Sequence, residues 1–156
     1  MLINYTTVNY KQTQKLGEKF AKEILLSRTS QKTAVVLGLQ GNLGEGKTTF
    51  LQGFASGLGV KEKILSPTFV ILKHFKITKS KFTDFYHIDC YRLKNAKDIL
   101  ELDFKKIISN PKNIVAVEWP EKIYPSGHKK KALPKNIIKI EFKFIDKNKR
   151  EIILKT

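Results

Sequence analysis

The sequence predicts an α/β protein: a central, partly parallel sheet flanked by helices, with antiparallel strands at its margins. Three observations carry that expectation. Short apolar runs alternate with segments whose apolar residues recur at helical spacing. A glycine-rich loop joins one such run to one such helix. The carboxyl-terminal segment alternates apolar and polar residues on both sides of a polar turn. A length of 156 residues suits one domain, residues 1–156, with enough chain to bury a core.

Leu16, Phe20, Ala21, Ile24 and Leu25 mark an amphipathic helix from about Lys11 to Leu26. After a polar loop, the apolar run Ala34 to Leu39 reads as a buried strand. Leu51, Phe54, Ala55 and Leu58 then define a helix from Thr48 to Leu58, stopped by Gly59 as a left-handed cap. Beyond Ser66-Pro67-Thr68, an extended stretch from Phe69 to Phe75 turns through Lys79-Ser80-Lys81. It returns along Phe82 to Ile88, which predicts a hairpin. Ala96, Ile99, Leu100, Phe104, Ile107 and Ile108 predict one further amphipathic helix. Ile114-Val115-Ala116-Val117 is a fully apolar strand ending at Glu118. A terminal hairpin runs out through Ile138, Ile140, Phe142 and Phe144, turns at Asp146 to Lys149, and returns through Ile152 and Leu154.

The joining loop, Gly41-Asn42-Leu43-Gly44-Glu45-Gly46-Lys47-Thr48, fits the phosphate-binding pattern G-x-x-x-x-G-K-[ST]. Its flanking strand and helix are the context the chemistry needs. Glycines let the backbone wrap closely around an anion with its N–H groups turned inward, and the helix adds its own unpaired N–H groups and positive dipole end. In such a site Lys47 reaches the β- and γ-phosphates and the Thr48 hydroxyl faces Mg²⁺. The loop therefore predicts a P-loop fold that binds a nucleoside triphosphate.

In open α/β sheets ligands lie beyond the carboxyl ends of the strands, which directs attention to polar residues placed there. Glu118 closes an apolar strand, the placement of a carboxylate that binds Mg²⁺ directly or through water, or orients the attacking water. Asp89 follows Phe85-Tyr86-His87-Ile88 in the same way and either serves the metal site, acts as a base, or caps the next turn. Thr68, after Pro67, stands where a hydroxyl can sense the γ-phosphate, or is simply a strand entry. His87, between apolar neighbours, reads as a packed core histidine. His74 and His128 have no companions at metal-ligand spacing, so no zinc site is expected. Trp119 is either a core anchor or an exposed contact for a partner.

Composition narrows the classes further. A hydrophobic fraction of 41% with ten Phe favours a folded globule over disorder. The apolar runs fall far short of the ~20 residues needed to cross a bilayer, so no membrane partner is expected. No apolar segment follows the amino terminus as a secretion signal would, and the single cysteine, Cys90, suits a reducing compartment. The expected location is cytoplasmic. The net charge of +16 invites a nucleic-acid reading. Yet the lysines are scattered, Lys129-Lys130-Lys131 is the one tight cluster, and only three of the 30 basic residues are arginine. Any tRNA contact is expected to be indirect or weak.

Taken in order, four segments resemble the signature series of the TsaE family, formerly YjeE. They are the loop extended through Thr49-Phe50, Ser66-Pro67-Thr68-Phe69, His87-Ile88-Asp89-Cys90-Tyr91-Arg92-Leu93, and Glu118-Trp119-Pro120-Glu121. Thr13-Gln14-Lys15-Leu16-Gly17 and Arg150 resemble the family's first helix and a terminal-hairpin arginine more loosely. The resemblance implies a weak, Mg²⁺-dependent ATPase of tRNA threonylcarbamoyladenosine biosynthesis. It implies action with TsaB and TsaD, which transfer the threonylcarbamoyl group to adenosine 37, while ATP hydrolysis resets the complex between turnovers. It further implies phosphate and metal contacts for Lys47 and Thr48, and a metal-site carboxylate in Glu118. Asp89 becomes the second acidic residue, Thr68 a switch-like threonine, Trp119 the tryptophan beside the site, and Glu121 and Arg150 residues lining the nucleotide pocket. Two positions depart from the family pattern: Asn42 replaces the usual Asp, and Glu45 replaces the usual Ala, adding a negative charge near an anionic ligand.

Two rival readings differ in class. A small-molecule kinase shares the loop but uses an arginine-bearing lid, whereas Arg28, Arg92 and Arg150 lie far apart in sequence. A nucleotide-gated binding module needs no hydrolysis: loss of function in Glu118→Ala with ATP binding intact would argue against it, and full function in that variant would support it. A guanine-reading N-K-x-D is lacking, because Asn148-Lys149-Arg150 is followed by Glu151.

Overall fold

The computed structural model describes residues 1–65, 72–94, 98–99, 102–123, 133–134 and 136–156. In chain order the elements are β1 (Leu2–Thr7), α1 (Tyr10–Leu26), β2 (Val35–Gln40), α2 (Lys47–Gly57), β3 (Leu72–Lys76), β4 (Asp84–Asp89), α3 (Phe104–Ser109), β5 (Asn113–Glu118), β6 (Ile138–Phe144) and β7 (Arg150–Lys155). A single turn of 3₁₀ helix, Pro120–Lys122, follows β5. The strands form one sheet in the order β1-β7-β6-β2-β5-β4-β3. Pairing is parallel from β6 through β2 and β5 to β4, and antiparallel at β3 on one side and at β7 and β1 on the other. The expected parallel centre with antiparallel margins is the arrangement observed.

The central strands β2 and β5 are buried on both faces, which is why both read as near-continuous apolar runs. On one face α1 and α2 cover a core built around Leu37, Leu39, Phe50, Phe54, Phe85, Ala116 and Phe142. The two helices approach closely because small residues line their contact. A Cβ on Gly53 would sit 1.8 Å from the Gln14 carbonyl oxygen, and one on Gly17 would sit 2.2 Å from that of Phe50. Only glycine allows this approach, and it presses α2, with the loop at its amino end, against the sheet. The opposite face carries a second core of Val36, Ile88, Cys90, Ile99, Phe104, Ile107, Val115 and Val117.

Two details differ from the sequence expectation. Strand β1 was not foreseen: its inward residues Ile3 and Tyr5 are few, and it is specified by pairing with β7. Among the described residues, the helix expected across residues 96–108 is an α-helix only over Phe104–Ser109. Asp103 adopts a left-handed backbone (φ 54°), which breaks the helical register ahead of Phe104; Ala96 and Leu100 lie outside the described residues. The extended stretch begins, as described, at Leu72, and Phe69 to Ile71 also lie outside. Both hairpins, the Gly59 cap and the turn at Asp146 follow expectation. Gly59 is left-handed (φ 81°), and the Asp146 carboxylate accepts from the Asn148 and Lys149 amides at 3.0 and 2.9 Å.

Candidate functional site

The loop leaves β2 at the sheet's carboxyl edge, between β6 and β5, and returns as α2. Three of its glycines have positive φ: Gly41 (147°), Gly44 (77°) and Gly46 (103°). The requirement is sharpest at Gly46, which caps α2 from a left-handed conformation so that Lys47 and Thr48 begin the helix. Asn42 and Leu43 are exposed at the loop's tip, and Thr49 sits half-buried in the first turn of α2.

Lys47 is 4% exposed. Its ammonium donates to the carbonyls of Gly41 (2.5 Å) and Asn42 (2.8 Å) and lies 4.6 Å from the centre of the Trp119 ring. Burial lowers its pKa, and the negative charges of Glu118, Glu45, Asp89 and Glu121 oppose that fall. The charge that would meet a phosphate is thus held in place by a carboxylate-rich surround.

Glu118 closes β5 with only 3% exposure. Because β5 pairs with β2 in parallel register, Glu118 stands opposite Leu39 and its side chain shares the α2 face. The Thr48 hydroxyl lies 3.5 Å from its Oε1, and the His87 Nε2 lies 2.9 Å from the same oxygen. The backbone then turns sharply. Trp119 takes a left-handed conformation (φ 58°), a strained geometry for an aromatic residue, and its amide donates to the Leu39 carbonyl at 3.1 Å. Its ring packs 5.2 Å from that of Tyr91, and the Lys122 ammonium lies 5.1 Å from the Tyr91 ring centre. Trp119 is therefore a half-buried side wall of the site, resting against the loop lysine.

Asp89 ends β4 directly beside Glu118. Its Oδ1 accepts from the Tyr91 amide at 2.9 Å, which is the turn-capping alternative read from the sequence. Burial raises its pKa, and the neighbouring Glu118 charge pushes the same way. Glu121 lies exposed in the 3₁₀ turn, close enough to favour the charged form of Lys47. Arg150 reaches the loop from the terminal hairpin: one guanidinium nitrogen donates to the Gly44 carbonyl at 3.1 Å and the other to the Asp146 carbonyl at 2.8 Å. It rests 5.0 Å from the Phe144 ring centre. Glu45 turns its carboxylate onto the Asn42 amide at 2.5 Å and side chain at 3.3 Å, so the unusual charge braces the loop from within. Thr68, His128 and Lys129-Lys130-Lys131 lie outside the described residues.

The donor set fits a small, hard cation. Thr48 and Glu118 bring a hydroxyl and a carboxylate to within 3.5 Å, a contact too long to be a strong hydrogen bond. Mg²⁺ takes few protein ligands and completes its shell with water and phosphate oxygens. Among the described residues no three His, Cys, Asp or Glu side chains cluster as a ligand set for a metal.

His87 is the residue whose role sequence reasoning missed. It is fully buried, as expected of a core histidine, but its ring meets the site carboxylate. The available signal was period-two alternation. His87 and Asp89 share one face of β4, and parallel pairing of β4 with β5 brings that face beside Glu118.

A parallel strand ending in a glycine loop, a helix opening on Lys-Thr, and a carboxylate closing the adjacent strand define a P-loop NTPase fold. Similarity to known proteins is more specific. The family profile described as "Threonylcarbamoyl adenosine biosynthesis protein TsaE" matches residues 7–152. The chain is 32% identical to the tRNA threonylcarbamoyladenosine biosynthesis protein TsaE of Bacillus subtilis, covering 96% of this chain and 83% of that one. Identity to the protein of the same name from Rickettsia felis is 35%, over 91% and 73% of the two chains. The crystal structure of Bacillus subtilis YdiB superposes with a TM-score of 0.69 at 27% identity, covering 99% of this chain and 84% of that one. The chain belongs to the TsaE family.

Proposed function

We propose that this protein is a slow, Mg²⁺-dependent ATPase of tRNA threonylcarbamoyladenosine biosynthesis. In this reading it acts in the cytoplasm as a single P-loop domain, residues 1–156. It works with TsaB and TsaD, and its hydrolysis of ATP resets their complex between turnovers. The observation that carries the reading is the meeting of Lys47, Thr48 and Glu118 on one face at the carboxyl edge of β2 and β5, in a chain of this family. The family relationship supports the pathway, and the site chemistry supports the nucleotide.

In this reading the backbone from Gly41 to Thr49 cradles the phosphates, with Lys47 as their main side-chain counterion. Arg150 braces the loop through Gly44. Thr48 and Glu118 would hold the metal, which would supply positive charge beside the phosphates. Glu118 also orients the attacking water, with Asp89 as the second acidic group and Thr68 contacting the γ-phosphate. Glu121 and Trp119 flank the pocket mouth.

The test is ATP hydrolysis by the purified protein, alone and with the matching TsaB and TsaD subunits. Slow turnover that rises on adding both is the expected result. Fast, partner-independent turnover, or transfer of phosphate to a small acceptor, overturns the assignment in favour of a kinase.

A further inference from the structure

We propose that His87 is a positioning residue that sets the orientation of the Glu118 carboxylate. Its buried Nε2–H holds Oε1, so that Oε2 is left for the metal's water shell or the attacking water. The inference rests on the reading of Glu118 given above and deepens it.

Three observations carry the assignment. First, Glu118 is 3% exposed, and a carboxylate so far from solvent persists only where its oxygens are met by donors. Among the described residues, two groups donate to it: the His87 ring at 2.9 Å and the Thr48 hydroxyl at 3.5 Å. The histidine contact is the only one of good length. Both fall on Oε1, and no described residue donates to Oε2. Second, His87 is itself 0% exposed, and its Nδ1 has no hydrogen-bond partner among the described residues. A carboxylate only accepts, so Nε2 carries the proton in this contact. Retaining a desolvated nitrogen makes His87 a poor choice if the position served packing alone, where leucine or phenylalanine would leave nothing unpaired. Third, its location is fixed by the sheet. His87 pairs with Ala116 and Asp89 with Glu118, so the ring reaches Glu118 diagonally along one face of two parallel strands that cannot shift register without exposing Phe85 and Ile114. Carboxylates at metal sites are commonly oriented by such outer hydrogen bonds, and removing one typically lowers affinity or activity by ~10–100-fold.

The experiment compares wild type, His87→Leu, His87→Gln, Glu118→Ala and the double variant His87→Leu/Glu118→Ala. Affinity for a fluorescent ATP analogue is measured in EDTA and in Mg²⁺, alongside steady-state hydrolysis. For His87→Leu the expected results are affinity in EDTA within about twofold of wild type, loss of most of the Mg²⁺-dependent change in affinity, and kcat lower by ~10–100-fold with little change in KM. His87→Gln, which keeps a donor, recovers part of that loss. In the Glu118→Ala background His87→Leu has no further effect, because the two act as one unit. A structural role predicts otherwise: an added loss in both backgrounds and no rescue by glutamine, and that pattern overturns the inference. If His87→Leu does not fold, His87→Gln and its pairing with Glu118→Ala decide the matter by the same criteria. Loss of Mg²⁺ dependence in Glu118→Ala with wild-type behaviour in both His87 variants sinks the role of His87 and leaves that of Glu118 standing. Wild-type behaviour in Glu118→Ala sinks both.

Discussion

Asp89 and Glu118 close neighbouring parallel strands in the same register, each carries a carboxylate, and the two sit in different surroundings. Glu118 lies on β5, directly beside the loop strand β2, with the Thr48 hydroxyl and the His87 ring at its oxygen. Asp89 lies one strand further out and turns its oxygen onto the Tyr91 amide of its own turn. An acidic residue at a strand end is thus one signal with two outcomes. Adjacency to the loop strand decides which carboxylate meets the start of α2 and which one finishes a turn.

The largest effect expected from testing this contrast lies in the loop itself. Lys47→Ala removes the buried ammonium that both carboxylates face, and affinity for ATP, measured by calorimetry, should fall by more than ~100-fold through loss of the β/γ-phosphate counterion. Unchanged affinity would sink the phosphate-loop assignment and with it the comparison. Next come the two carboxylates. Glu118→Gln should lower turnover by ~100-fold or more while metal-free nucleotide affinity persists, as removal of a group acting on the reacting atoms does. Asp89→Asn should lower turnover by ~10-fold or less. Equal losses, or the reverse order, would show that adjacency to the loop strand is not what distinguishes them.

The smallest effects concern the two ends of β4, where Asp84 and Asp89 titrate in opposite directions. Burial pushes the Asp84 carboxyl up, but hydrogen bonds from Lys76, Thr83 and His74 outweigh it and hold the pKa down to about 2. A depressed carboxylate contributes stability that is present above its ordinary value of 3.8 and is lost as pH falls through about 2. Thermal melts of Asp84→Asn should therefore diverge from wild type above pH 4 and converge with it near pH 2. Asp89 is raised, chiefly by burial. Its ionisation opposes folding as pH climbs above 3.8, so Asp89→Asn should flatten the decline of melting temperature on that side. Matching slopes in the two variants would contradict the assigned environments.

Much of the frame was legible because its signals are local. The run from Ala34 to Leu39, the glycine loop and the helix behind it lie consecutively in the chain, and each states its own conformation through apolar period or glycine content. The terminal hairpin was legible for the same reason, with Asp146 turning the chain as Asx residues do. Strand β1 escaped notice because its conformation is stabilised by pairing with β7, at the far end of the sequence. The helix expected over 96–108 was overestimated because a left-handed residue at Asp103 breaks a periodicity that apolar spacing alone cannot reveal.

By itself, the sequence determined that a glycine loop of the phosphate-binding pattern exists, that Lys47 and Thr48 open its helix, and that carboxylates stand at strand ends. These follow from residue type and spacing over short stretches, where backbone sterics and side-chain period act directly. Only the tertiary structure decided which carboxylate faces the loop, that His87 belongs with Glu118, that Arg150 ties the terminal hairpin to Gly44, and that Glu45 spends its charge bracing Asn42. The first three depend on strand order and register, which long-range burial selects among many pairings of equal local merit. The last depends on the rotamer that the path of the glycine loop permits.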